Sequence, residues 1–155
     1  SYLPQGGAAR SPIDWNPEFS RRARGFPVYA AIRELGREGI AALVQRTCDH
    51  ARGLVAGIGQ LRDAEVLVTP VFNQGLVRFL SNQTGASEAD HDRCTDEVIR
   101  AINATGEVFF GGVTWNGQRA MRVSVCNWRT TGRDVERSVT AIRGVLEARQ
   151  RSKNS

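Results

Sequence analysis

The chain has 155 residues, 41% of them hydrophobic, which is enough for one domain with a real core and too apolar for disorder. Its net charge of +5 rests on arginine, because Lys153 is the only lysine; the arginines lie beside carboxylates, as in Arg33-Glu34, Arg37-Glu38 and Asp134-Glu136-Arg137, the pattern of a solvated surface and not of a nucleic-acid face. No run reaches the ~20 apolar residues of a membrane span, no signal peptide is legible, and three widely spaced cysteines (Cys48, Cys94, Cys126) form neither a disulfide framework nor a zinc site, which suits a reducing cytoplasm.

Ser1-Tyr2-Leu3-Pro4-Gln5-Gly6-Gly7 reads as an internal segment, and residues 1–20, with Pro4, Pro12 and Pro17, read as an extended arm. Ser20-Arg21-Arg22 opens a helical pattern through Val28, Ile32 and Leu35, with Gly36 as its stop. A second, longer helix carries one apolar stripe: Ile40, Leu43, Val44, Thr47, Cys48, Ala51, Leu54, Val55, Ile58 and Leu61. Two short strands follow, Glu65–Thr69 and Gly75–Leu80, rich in β-branched and aromatic residues. Ser87 and Asp90 form a capping-box-like start to a helix that ends near Asn103, with Val98 and Ile102 inward. Glu107–Trp115 and Gln118–Cys126 read as a hairpin closed by Asn116-Gly117. Thr131-Gly132-Arg133-Asp134 caps a last helix with Val135, Val139, Ile142 and Leu146 on its apolar face. The order predicts an α+β layer, a mostly antiparallel sheet covered by helices.

Few residues offer chemistry. Asp90, His91, Asp92, Cys94 and Asp96 resemble a metal cluster in composition, but on a helix Asp90, Asp92 and Asp96 point in different directions. His50 sits mid-helix with no evident partner, and Gly111-Gly112 predicts a bulge or a close backbone approach. In the strand 118–126, Met121, Val123 and Val125 face one way; Ala120, Arg122, Ser124 and Cys126 face the other. Arg122 is the candidate: its guanidinium is a bidentate fork that matches a carboxylate, or it is a plain surface arginine.

Asp14-Trp15-Asn16-Pro17-Glu18-Phe19-Ser20-Arg21-Arg22-Ala23-Arg24, followed by Val28-Tyr29-Ala30-Ala31-Ile32-Arg33-Glu34-Leu35, resembles the group II pyridoxal-phosphate decarboxylases. These include the aromatic-amino-acid, glutamate and diaminobutyrate decarboxylases. Phe72-Asn73-Gln74-Gly75-Leu76-Val77-Arg78-Phe79 resembles a strand entry of their small C-terminal domain, and Arg122-Val123-Ser124-Val125-Cys126-Asn127 their last strand. The resemblance implies the aspartate-aminotransferase-like fold, with residues 1–38 as arm and interdomain helix and 39–155 as the small C-terminal domain. It implies pyridoxal 5'-phosphate as cofactor, a large cofactor domain absent here, a homodimer and an amino-acid substrate. The cofactor lysine belongs upstream of residue 1, so the chain alone is expected to be inactive and to hold no covalent cofactor. Arg122 matches a substrate-carboxylate clamp of glutamate-decarboxylase-like members, and Arg21 matches a recurrent position near the domain junction. The competing reading is a non-enzymatic α+β interaction module, or a regulator derived from that family; no nucleic-acid or membrane partner is expected.

Overall fold

The computed structural model describes residues 25–153; the predicted arm at 1–20 and Arg21 lie outside them. The chain divides into two compact units between Arg37 and Glu38.

The first helical segment, α1 (Gly25–Gly59), is interrupted by a kink at Gly36. Gly36 has φ 62° and ψ −174°, a backbone state that glycine adopts without a Cβ penalty, so the predicted stop is real. In the first unit Phe26, Val28, Tyr29, Ile32 and Leu35 are all exposed. In the second unit the long apolar stripe is buried from Thr47 to Ile58, while before it Ile40 and Leu43 are half-buried and Val44 is exposed.

Four strands make one antiparallel sheet in the order β1-β2-β4-β3: β1 (Ala64–Val68), β2 (Gln74–Phe79), β3 (Gly111–Trp115) and β4 (Gln118–Ser124). The predicted strand 107–115 is shorter than expected. Asn103 accounts for the difference: its Nδ2 donates to the Phe110 carbonyl at 3.0 Å, and its Oδ1 accepts from the Phe110 N–H at 2.9 Å. The side chain thus takes the backbone groups that a strand partner would use. The two residues of the β3–β4 turn, Asn116 and Gly117, have φ 49° and 80°, as a type I′ turn requires. The glycine pair makes no bulge, since Gly111 pairs with Arg122 and Gly112 with Met121 in unbroken register. The irregularity lies in β1 instead, between Val66 and Val68.

Helices α2 (Glu88–Ala104) and α3 (Gly132–Lys153) complete the fold. Both start on reciprocal caps. Ser87 Oγ accepts from the Asp90 N–H while Asp90 Oδ2 accepts from the Ser87 N–H; Thr131 and Asp134 repeat the arrangement. Val55, Ile58, Val77, Phe79, Val98, Ile102, Met121, Val123 and Ile142 pack into one core, drawn from the second unit's part of α1, one face of the sheet, α2 and α3. Each aliphatic side chain shut into it contributes about 1.5–3 kcal/mol. α2, α3 and the second unit's part of α1 therefore cover one face of the sheet, and the other face carries a different set of residues.

Candidate functional site

On β4 the burial alternates as the sequence demands: Met121, Val123 and Val125 are buried, while Arg122, Ser124 and Cys126 are exposed. Arg122 thus stands on the face away from the helices. Its cross-strand neighbours are Leu76 on β2 and Gly111 on β3. Among the described residues its guanidinium has no hydrogen bond or ion pair.

The acidic and histidine residues of α2 do not converge. Asp90 belongs to the helix cap, and its bonds from Ser87 hold its carboxyl below the usual range. Asp92 accepts from the Arg119 N–H at 2.8 Å and Asp96 from Arg119 Nε at 2.7 Å, so both tie α2 to β4. His91 Nδ1 accepts from the Ser81 N–H at 2.9 Å. Among the described residues no group of three such side chains could hold a metal ion. His50 remains without a partner for its buried Nε2. The close approach predicted at the glycine pair is real at Gly112, where a Cβ would stand 2.8 Å from Arg119 Cζ.

Sequence reasoning missed Arg78. It lies on the same sheet face as Arg122, yet only 2% of it is exposed. Its Nη1 donates to Glu88 Oε2 at 3.0 Å, and that contact holds the Glu88 carboxyl below its ordinary range. Nε and Nη2, the edge that grips a carboxylate side-on, have no hydrogen-bond partner; Glu65 Oε2 stands 3.9 Å from Nε. The only sequence signal was that an arginine in an otherwise apolar run, Leu76 to Leu80, had no glutamate close by in the chain.

At the end of the sheet where β2 starts and β4 finishes, an open cleft of about 650 Å3 is lined by Phe109, Phe110, Ser124, Cys126, Thr130 and Asp134. The same end carries exposed apolar side chains at Val71, Phe72, Phe109 and Trp128. Arg129 lies 4.8 Å above the Trp128 ring.

No family model matches the chain. It is 26% identical over 115 residues to tyrosine decarboxylase 2 of Arabidopsis thaliana, a match covering 72% of this chain and 20% of the relative. The structure superposes on Oryza sativa TDC, solved with PLP and tryptamine, with a TM-score of 0.74 at 19% identity, over 88% of this chain and 29% of that one. Catharanthus roseus tryptophan decarboxylase, solved with L-tryptophan, gives 0.72 at 16% identity, over 87% and 28%. The chain resembles the C-terminal portion of the group II pyridoxal-phosphate decarboxylases. It has their α+β fold in that portion and spans about a fifth of the length of the curated decarboxylase it matches.

Among the described residues no lysine lies near Arg122. The only lysine, Lys153, ends α3. That end of α3 lies where β1 begins, with Gln150 Nε2 donating to Asp63 Oδ2 at 3.3 Å, whereas Arg122 and Ser124 lie where β2 begins. Among the described residues no helix is long and apolar enough to cross a membrane.

Proposed function

We propose that this chain is the small C-terminal domain of a pyridoxal-phosphate-dependent amino-acid decarboxylase, a carboxy-lyase that converts an amino acid to an amine and CO2. The observation that carries the reading is Arg122. A strand internal to the sheet fixes its direction, it is exposed on the sheet face opposite the core, and no described residue engages it. A guanidinium so placed suits the carboxylate of a substrate held by a domain lying on that face. The decarboxylase-like fold and the length of the relatives support the presence of such a domain in the working protein.

In this reading the cofactor and its lysine belong to the large domain, and the chain alone is inactive. The assembled enzyme is a homodimer acting on a small amino acid in the cytoplasm, where the free Cys48, Cys94 and Cys126 stay reduced. The experiment is to join the chain to a cofactor domain of the decarboxylase family and measure CO2 release from a panel of amino acids. The joined protein should release CO2, and the chain alone should release none. Treated with pyridoxal phosphate and borohydride, the chain alone should show no stoichiometric label at a single site by mass spectrometry. An inactive joined protein that binds the cofactor, or specific labelling of the chain alone, overturns the proposal.

A further inference from the structure

The sheet has two edges, and they are defended differently. β1 forms one of them; it carries Glu65, and its register breaks between Val66 and Val68, which spoils it as a template for a passing strand. β3 forms the other. Gly111-Gly112-Val113-Thr114-Trp115 has no charge and no proline, and its register with β4 is unbroken.

The tight turn fixes which way the β3 backbone faces. Trp115 and Gln118 flank Asn116-Gly117, so Trp115, Val113 and Gly111 exchange their backbone hydrogen bonds with β4. Phe110, Gly112 and Thr114 turn their N–H and C=O groups outward. Asn103 takes both groups of Phe110. Gly112 and Thr114 are exposed, and among the described residues nothing bonds to their outward groups. The open edge is thus bounded by a side-chain cap at Phe110 and a turn at Asn116, with Val113 at its middle.

We propose that β3 pairs antiparallel with β3 of a second copy of this chain, about a two-fold axis at Val113, joining two sheets into one. In that register Gly112 faces the partner's Thr114, and the two exchange both hydrogen bonds. The two Val113 side chains meet across the axis, with Cβ atoms about 4.5–5.5 Å apart. Gly111 faces the partner's Trp115. At Gly111 the backbone has no positive φ, and a Cβ would meet nothing within 4 Å, so the strand is bare there for no reason inside the chain. Trp115 is 49% exposed on the same face. An aromatic ring laid across a strand glycine covers the backbone that the glycine leaves bare, so each copy supplies what the other lacks. An edge without charge also sets no like charges opposite each other. The contact does not depend on the decarboxylase reading, since it uses β3 alone.

The test follows the 155-residue chain over a range of concentrations. Amide hydrogen exchange at Gly112 and Thr114 should slow as concentration rises, while amides on the β1 edge keep their rates. Val113→Cys, in a Cys126→Ser background that removes the exposed natural thiol, should oxidise to a disulfide-linked dimer under a mild oxidant. Arg133→Cys in the same background, exposed on α3, should not. Thr114→Pro, whose missing N–H points away from β4, and Val113→Lys, which sets two charges face to face, should keep the spectrum of a folded chain. In sedimentation each should weaken association about tenfold or more. Concentration-independent exchange at Gly112 and Thr114, equal cross-linking at Arg133→Cys, or unchanged association in a folded Thr114→Pro or Val113→Lys chain each overturns the pairing. Protection of this edge that appears only with an added extended peptide of another sequence gives it a different occupant and also overturns the proposal.

Discussion

Arg78 and Arg122 stand on one sheet face and differ in everything else. Arg78 is buried with one hydrogen-bonded ion partner, Glu88, and only a long 3.9 Å ion pair to Glu65 on its other edge, a costly way to hold a charge. Glu88, its partner, is itself well exposed, so removing the guanidinium strands no buried carboxylate. Arg78→Met is therefore expected to leave stability within about 1 kcal/mol of the natural chain or to raise it, as read by urea midpoints at neutral pH. The same variant should blunt acid sensitivity. Glu88 has a folded pKa below its unfolded one, so its contribution is full above the ordinary glutamate range and is lost as pH falls through the depressed value. Urea midpoints followed from neutral pH down through that range should fall less in Arg78→Met than in the natural chain; equal slopes would remove the Arg78–Glu88 pair as the cause. Arg122 predicts the opposite kind of effect. In a catalytically complete protein, Arg122→Met should lower kcat/KM by roughly 30- to 1000-fold while leaving the urea midpoint unchanged; a change in kcat/KM of less than about threefold would return it to a plain surface arginine. Arg122 was legible because strict alternation around Met121 and Val123 fixes its face. Arg78 was not, because its carboxylates come from another strand and a helix terminus.

The elements that announced themselves are those whose signals are local. Ser87 with Asp90, and Thr131 with Asp134, name their helix starts because a cap needs only three residues of chain. Asn116-Gly117 names its turn because few other pairs accept two positive φ values in succession. What was lost depends on distant partners. The strand expected from residue 107 begins at Gly111, because Asn103 bonds to Phe110 from the preceding helix. The apolar stripe read from Ile40 onward is fully buried only from Thr47, with Ile40 and Leu43 half-buried and Val44 exposed, because burial depends on what packs opposite and not on the stripe itself. The caps are open to measurement. Ser87→Ala and Thr131→Ala should each cost about 1 kcal/mol, additively in the double variant because they start separate helices. Denaturant midpoints decide it, and losses below a few tenths of a kcal/mol would mean that solvent caps these helices equally well.

At the scale of the whole molecule, the apolar surface is unevenly spent. Val71 is 94% exposed and Phe109 81%, and with Phe72 and Trp128 they border one end of the sheet. Val28, Tyr29, Ile32 and Leu35 add an apolar helix face in the first unit. Surfaces of this kind favour association, so the chain alone should self-associate, or bind a dye that reports apolar surface. A monomer at high concentration in sedimentation, with no dye binding, would contradict this. The strand order adds a consequence in time. β4 is flanked by β2 and β3, so it holds the sheet together, yet it follows every other strand in the sequence. β1 and β2 leave the ribosome as a hairpin with only α1, through residues such as Val55 and Ile58, at hand to pack against. A two-stranded hairpin by itself is marginal at best in water. Until Met121 and Val123 emerge, Val77 and Phe79 have no sheet neighbour on that side, and the nascent domain exposes a β2 edge able to pair with another chain. The hazard in making this protein therefore falls late in its synthesis, and nascent chains halted before Gln118 are the ones that need a chaperone's cover.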